Sequence, residues 1–338
     1  MKRTELVAWI VVVAVLAAAP FLSPLVHLDV SIVSEVLVFS IAAMSVNLLL
    51  GYTGLPAFGN GAYFGLGAYG AALSIKYAGV SFIAAVAIGT VCAFLGGLAL
   101  SPFLLRRRGI YFGLLSIAFG QVFYFIAYRF TDITGGEDGM QVPTPPLGLG
   151  SHLVLRDQSF YYLALVVFVV ALIVFRGIVH SPFGRSLVAV RQNEVRVRYL
   201  GLNTNRLIWV ALLLSSTMAG VSGALYALLN NFAYPLMLDW HQSGDFVLMM
   251  ILGGAGTVFG PLLGAFIFVI GKDIISSMTN LWQIFLGALF VACVLFFPRG
   301  ILGTVLARLK RPAPPADEAD TANAAFDPNA RVEVGRGV

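Results

Sequence analysis

The chain has 338 residues, of which 59% are apolar and only 11% charged, and its formal net charge is +5. That balance excludes an ordinary soluble globular domain and makes lipid the expected solvent. The two cysteines, Cys92 and Cys293, lie inside apolar runs without disulfide or metal-ligand spacing, so they are expected to be buried small hydrophobes.

In chain order, Lys2 and Arg3 precede a first apolar run over residues 6–26. It continues past Pro20 and lacks the short core of a signal peptide, so a retained first helix is expected. Runs of roughly the 20 residues needed to cross a bilayer follow at 33–52, 58–77, 82–105, 110–130, 160–175, 207–232 and 282–297. Another, over 246–270, is interrupted by Gly253, Gly254, Gly256, Gly260 and Pro261. No separate soluble domain is expected.

Basic residues stay on the cytoplasmic side of short loops. They collect at Lys2 and Arg3, at Arg106 to Arg108, at Arg185, Arg191, Arg196, Arg198 and Arg206, and at Arg299, Arg308, Lys310 and Arg311. Placing all four clusters inside requires the 246–270 run to split into two short helices, giving about ten transmembrane helices with both termini cytoplasmic. A re-entrant hairpin at that point satisfies the same parity with about eight. The expected fold is therefore all-α and polytopic: a transmembrane region over 1–305, with an external loop at 131–159 and a cytoplasmic loop at 179–206, then a disordered cytoplasmic tail over 306–338.

Enzymatic signatures do not emerge. The histidines His27, His152, His180 and His241 are scattered, no catalytic pair forms, and Gly271-Lys272 lacks the glycine spacing of a phosphate-binding loop. Any ATP-Mg used must bind a different chain, so no cofactor is expected here, and nothing points to nucleic acid.

Two glycine-interrupted apolar segments stand one in each half. The first runs from Gly51 to Gly70 and contains Gly59, Asn60 and Gly61; the second runs from Gly253 to Gly264 and contains Gly254, Gly256 and Thr257. Broken helices in corresponding positions point to a transport path, because opened turns expose backbone dipoles where a polar solute passes. The alternative is that Gly61, Gly65, Gly256, Gly260 and Gly264, at four-residue spacing, serve only close helix packing. Among the few ionisable groups near spans, Glu35 and Asp245 default to functional candidates, with Asp245 a candidate for the pathway. Asp245 could equally serve a helix N-terminus, while Lys76, Lys272 and Asp273 are expected at the interface.

Residues 181–206 carry Leu187, Val190, Glu194, Val197 and Gly201 at three- to four-residue intervals, the pattern of a short surface helix. Charge alone would allow it to bind anionic membrane lipid. Its motif reads otherwise. Asn47-Leu-Leu-Leu-Gly-Tyr-Thr-Gly54, the run from Gly59 to Tyr69, Thr134-Gly-Gly-Glu-Asp-Gly139, Ser181-Pro-Phe-Gly184-Arg185, Leu252-Gly-Gly-Ala-Gly-Thr257 with Gly260-Pro261, and Phe297-Pro-Arg-Gly300 occur in this order.

Together these blocks resemble the LivM-type permease of branched-chain amino acid ABC importers. The resemblance implies a homologous second permease subunit, two cytoplasmic ATPase subunits and an extracytoplasmic solute-binding protein. It also implies that the 181–206 loop couples to an ATPase through Gly184, Arg185, Arg191, Asn193, Glu194 and Gly201. The pathway candidates are Asn47, Gly59, Asn60, Gly61, Asp245, Gly253, Gly254, Gly256 and Thr257, in the inner (plasma) membrane. Arg196 and Val197 stand where the family usually carries alanines, and Asn60 stands where relatives often have His. A related branch imports urea or short amides, so those solutes stay open. A self-sufficient secondary transporter or channel would need deep polar clusters, which the centres of these runs lack.

Overall fold

The computed structural model describes residues 15–18, 20, 29–56, 58–143, 157–279, 281–296 and 300–309. The expected first helix, the Phe297 to Arg299 part of the last motif and the tail beyond residue 309 fall largely or wholly outside the described residues.

The described residues are almost entirely helical, as expected. Helix α1 (Val30–Val46) continues into a π-helical turn (Asn47–Thr53), and the chain reverses before α2 (Asn60–Ala78). Then follow α3 (Phe82–Leu104), α4 (Ile110–Arg129), α5 (Asp157–His180), α6 (Pro182–Tyr199), α7 (Thr204–Asn230), α8 (Trp240–Gly253), α9 (Gly260–Met278), α10 (Trp282–Phe296) and α11 (Gly300–Leu309). Among the described residues, 6 helices are long and apolar enough to cross a bilayer by themselves. The 246–270 run is two helices, and α11 reaches four residues past the boundary read from the sequence.

Why these helices face lipid follows from their surfaces. Ile83, Val91 and Leu95 of α3, Leu114, Val122 and Phe125 of α4, and Val166, Val170 and Ile173 of α5 are all exposed. Such continuous apolar exposure fits lipid, where only helices with internally satisfied backbones can stand.

Helix α1 is buried along most of its length and forms the centre of the molecule. In lipid there is little hydrophobic gain between helices, so small residues and polar side chains hold them together. Ser222 of α7 donates to the Val38 carbonyl (2.7 Å) and Ser215 to the Ser45 carbonyl (2.8 Å). An aromatic cluster of Phe39, Phe64, Tyr226 and Phe246 closes the junction of α1, α2, α7 and α8. Cys92 of α3 is half-buried against Gly70 of α2, as a small apolar residue would be.

The two ends of the bundle differ. At one, β1 (Met140–Gln141) pairs antiparallel with β2 (Phe232–Ala233). At the other lie the π-helical turn, Arg108, α6, the α8–α9 turn and the start of α11, where a Cβ on Gly300 would come 2.3 Å from the Gly254 Cα.

Candidate functional site

Both broken segments prove to be real breaks. Asn60 opens α2 within the bundle rather than at its end: its Nδ2 donates to Ser45 Oγ and to Ser215 Oγ (2.9 Å each), and Ser215 is the twelfth residue of the 27-residue α7. Against this first turn of α2 sits the first turn of α8, since Gly61 N–H donates to Ser243 Oγ at 2.7 Å. Helix α8 therefore also starts inside the bundle. Its 14 residues extend about 21 Å, short of a hydrocarbon core of about 30 Å.

The helix N-terminal role weighed for Asp245 belongs instead to Asp239, whose carboxylate accepts from the His241 N–H at 2.8 Å and from Gln121 Nε2 at 3.4 Å. The expected span start at Phe246 is thus six residues late. The polar residues His241, Gln242 and Asp245, which precede the apolar run, lie in the first turns of the helix.

Asp245 lines a cavity of about 920 Å³ with His241, Gln242 and Gln283 and with the apolar Val247, Leu248, Ile251, Phe268 and Phe290. Lys272 of α9 is half-buried and interacts electrostatically with both Asp245 and Glu35 of α1. Asp245 and Glu35 are themselves half-buried. Lys76 and Asp273 are exposed.

The α8–α9 turn meets the π-helical turn. Fully buried Asn47 donates Nδ2 to the Thr257 carbonyl and accepts the Gly256 N–H at Oδ1, both at 2.8 Å. A π-helical turn is a frequent mark of functional backbone, and here it supplies the side chain that satisfies an irregular turn. Gly253 and Gly264 let α8 and α9 touch backbone to backbone, since a Cβ at Gly253 would meet the Gly260 carbonyl and one at Gly264 the Met249 carbonyl, each at 1.7 Å. The close-packing alternative therefore holds for Gly264, and Gly253 packs in the same way. Gly254 (φ 126°) and Gly256 (φ 77°) take conformations that other residues rarely adopt. Gly59 faces Ser116 of α4 at the base of α2.

The 181–206 segment is the expected short helix, α6, with Gly184, Leu187, Val190 and Val197 buried. Ser181 caps it by accepting the Gly184 N–H at 3.2 Å. Its regular spacing hid a kink: Asn193 is extended (φ −162°, ψ 98°) and its side chain caps the second half by accepting the Arg196 N–H at 2.9 Å. Gly201 ends the segment at φ 83° with open space around it.

Of the coupling candidates, Arg191 and Glu194 face the bundle. Arg191 Nη1 donates to the Gly51 carbonyl in the π-helical turn. Glu194 receives Arg108 Nε (3.1 Å), Arg198 Nη2 (3.0 Å) and Thr204 Oγ1 (3.0 Å). Burial opposes ionisation of Glu194, but the hydrogen bonds and charge of Arg108, with Thr204 and Arg198, outweigh it and hold the carboxyl below its ordinary range. Arg185 lines a smaller pocket with Tyr52, His180, Gly256 and Thr257. The structure thus joins two residue sets that the sequence kept apart. Thr204 and Asp239 were missed, because single residues outside a motif carry no local signal; Arg108 was read only as part of a basic cluster and Gly51 only as part of a glycine segment.

A model of the permease component of branched-chain amino acid transport systems matches residues 30–294. The chain belongs to that permease family. It is 28% identical over 325 residues to the high-affinity branched-chain amino acid transport permease LivM of Escherichia coli K12, covering 89% of this chain and 76% of that one. To LivM of Salmonella typhimurium it is 27% identical over 304 residues (83% and 72%). To LivH of Escherichia coli K12, the permease protein of the same-named system, it is 25% identical over 181 residues (49% and 57%). No solved structure matches. Family membership and the apolar helices make this a multi-pass membrane permease.

Proposed function

We propose that this permease is one of two homologous membrane subunits of an ATP-driven importer for branched-chain amino acids in the inner (plasma) membrane. The observation that carries the reading is α8, a half-length helix that begins inside the bundle and borders the cavity containing Asp245. A polar group at a half-helix start suits the charged head of an amino acid, and Val247, Leu248, Ile251 and Phe268 suit an aliphatic side chain. The cavity would form half of a path, and the likeness to both LivM and LivH supports a homologous second subunit.

The end that holds α6 and Arg108 is the cytoplasmic end, as its basic residues require. The helices then alternate so that about ten crossings, including residues 6–26, leave both termini inside. Two ATPase subunits bind ATP-Mg, and one of them docks on the outward face of α6, where Val188, Val195, Tyr199 and Leu200 are exposed beside Arg185 and Arg196. An extracytoplasmic binding protein delivers the solute above the β1–β2 pair. Residues 1–305 form the permease region and the following residues a cytoplasmic tail.

The test is mild-detergent purification of the tagged chain from its native membrane, mass spectrometry of what stays bound, and leucine uptake after reconstitution. Two ATPases, a second permease and ATP-dependent uptake are expected. A chain recovered alone that moves leucine without ATP would overturn the reading in favour of a self-sufficient transporter; urea or amide uptake would reassign the solute.

A further inference from the structure

Helix α6 is fastened to the bundle at two points, one on each side of the extended residue Asn193. After the kink, Glu194 ties the second half to Arg108 in the α3–α4 connection and to Thr204 at the start of α7. Before the kink, Arg191 ties the first half to the Gly51 carbonyl. Gly51 lies in the last turn of a helix ending at Thr53, where carbonyls lack intrahelical donors and a cation is favoured by the helix dipole.

Arg191 is exposed on its outer side and in close contact on the side that faces the bundle. A Cβ on Gly54 would lie 2.9 Å from Arg191 Cγ, and one on Gly256 would lie 3.6 Å from Arg191 Nη1. One guanidinium therefore touches the π-helical turn and sits against the α8–α9 turn. One turn of chain before Gly51, Asn47 binds the Gly256 N–H and the Thr257 carbonyl with both ends of its amide. A Cβ on Gly51 would come 2.8 Å from Gly256 N, so the two turns are in contact as well as hydrogen-bonded.

We propose that Arg191 is a positioning residue that carries displacement of the first half of α6 to α8. The route runs from Arg191 to Gly51, through the π-helical turn to Asn47, and from Asn47 to Gly256 and Thr257 at the foot of α8. Asn193 is the hinge about which this half moves while Glu194 stays anchored. The π-helical turn interrupts the regular α-helical bonding where α1 ends, the kind of local irregularity frequent at functional sites. The proposal rests on the importer reading, in which an ATPase moves α6.

The experiment uses the assembled importer reconstituted in liposomes with its binding protein, and measures leucine moved per ATP hydrolysed. Arg191→Ala and Asn47→Asp, which cannot donate to the Thr257 carbonyl, should each lower that ratio about fivefold or more. The double variant should be no worse than the worse single one, because both cut the same link. Arg191→Lys, with the charge but not the planar fork, should fall between. A wild-type ratio in Arg191→Ala overturns the relay, as do losses that multiply in the double variant. If Arg191→Ala fails to assemble, a wild-type ratio in Arg191→Lys overturns it instead. A wild-type complex that moves no leucine with ATP overturns the importer reading and the relay with it.

Discussion

Glu194 is a coupling candidate whose observed contacts all lie within this chain. The family resemblance placed it among the coupling residues, and the structure turns its carboxylate inward, onto Arg108, Arg198 and Thr204. Because its folded carboxyl titrates below the ordinary value, its stabilisation is complete above about pH 4.3, the value of a free Glu, and is lost as the pH falls through the lower folded value. Hydrogen-exchange protection of α6, corrected for intrinsic rates, should therefore stay level from about pH 7 to 5 and drop below about pH 4. Glu194→Gln should remove that acid step, and a step that survives would assign it to another group. Asp245 was legible as an acid beside a broken segment, and its place in the cavity wall was not. Asp245→Asn in the assembled importer should cut leucine uptake about tenfold, the equivalent of one hydrogen bond to a charged group; undiminished uptake would remove Asp245 from the path.

At the scale of elements, helix bounds were read within a few residues for α3, α4 and α10, because lipid demands a fixed apolar length from each crossing. That rule fails for α8, which is short and opens with His241, Gln242 and Asp245 inside the bundle. Its start becomes evident only where Asp239 meets Gln121 and Ser243 meets Gly61. The α8–α9 contact makes a direct prediction. Gly264→Ala would place a methyl group 1.7 Å from the Met249 carbonyl oxygen, so the helices must part at a cost of about 1–3 kcal/mol. Gly177→Ala in α5 meets nothing within 4 Å and should be neutral or stabilising by about 0.5–1 kcal/mol. Thermal unfolding of the purified permease in detergent compares the two; equal melting temperatures would contradict the close packing.

At the scale of the whole molecule, orientation follows from which charges share an end. Arg106 to Arg108, α6 and the start of α11 cluster together, and the β1–β2 pair lies at the other end. With Cys92 and Cys293 replaced, an impermeant maleimide added outside whole cells should label Gln141→Cys and not Gln192→Cys; both are exposed positions. Labelling in the reverse sense would invert the topology and move the ATPase-docking face to the wrong side of the membrane.

The sequence by itself determined the solvent, the positions of most spans, the two broken segments, the surface helix and the family. Each of these is written locally, in apolar length, glycine interruptions or short motifs, because lipid acts on each segment separately. Only the tertiary structure decided that the breaks meet, that Arg191 reaches Gly51 across 140 positions and that Asn47 reaches Gly256 across 209. Such bonds are set by how helices pack. A local pattern carries no information about which buried carbonyl or N–H another segment will bring within reach.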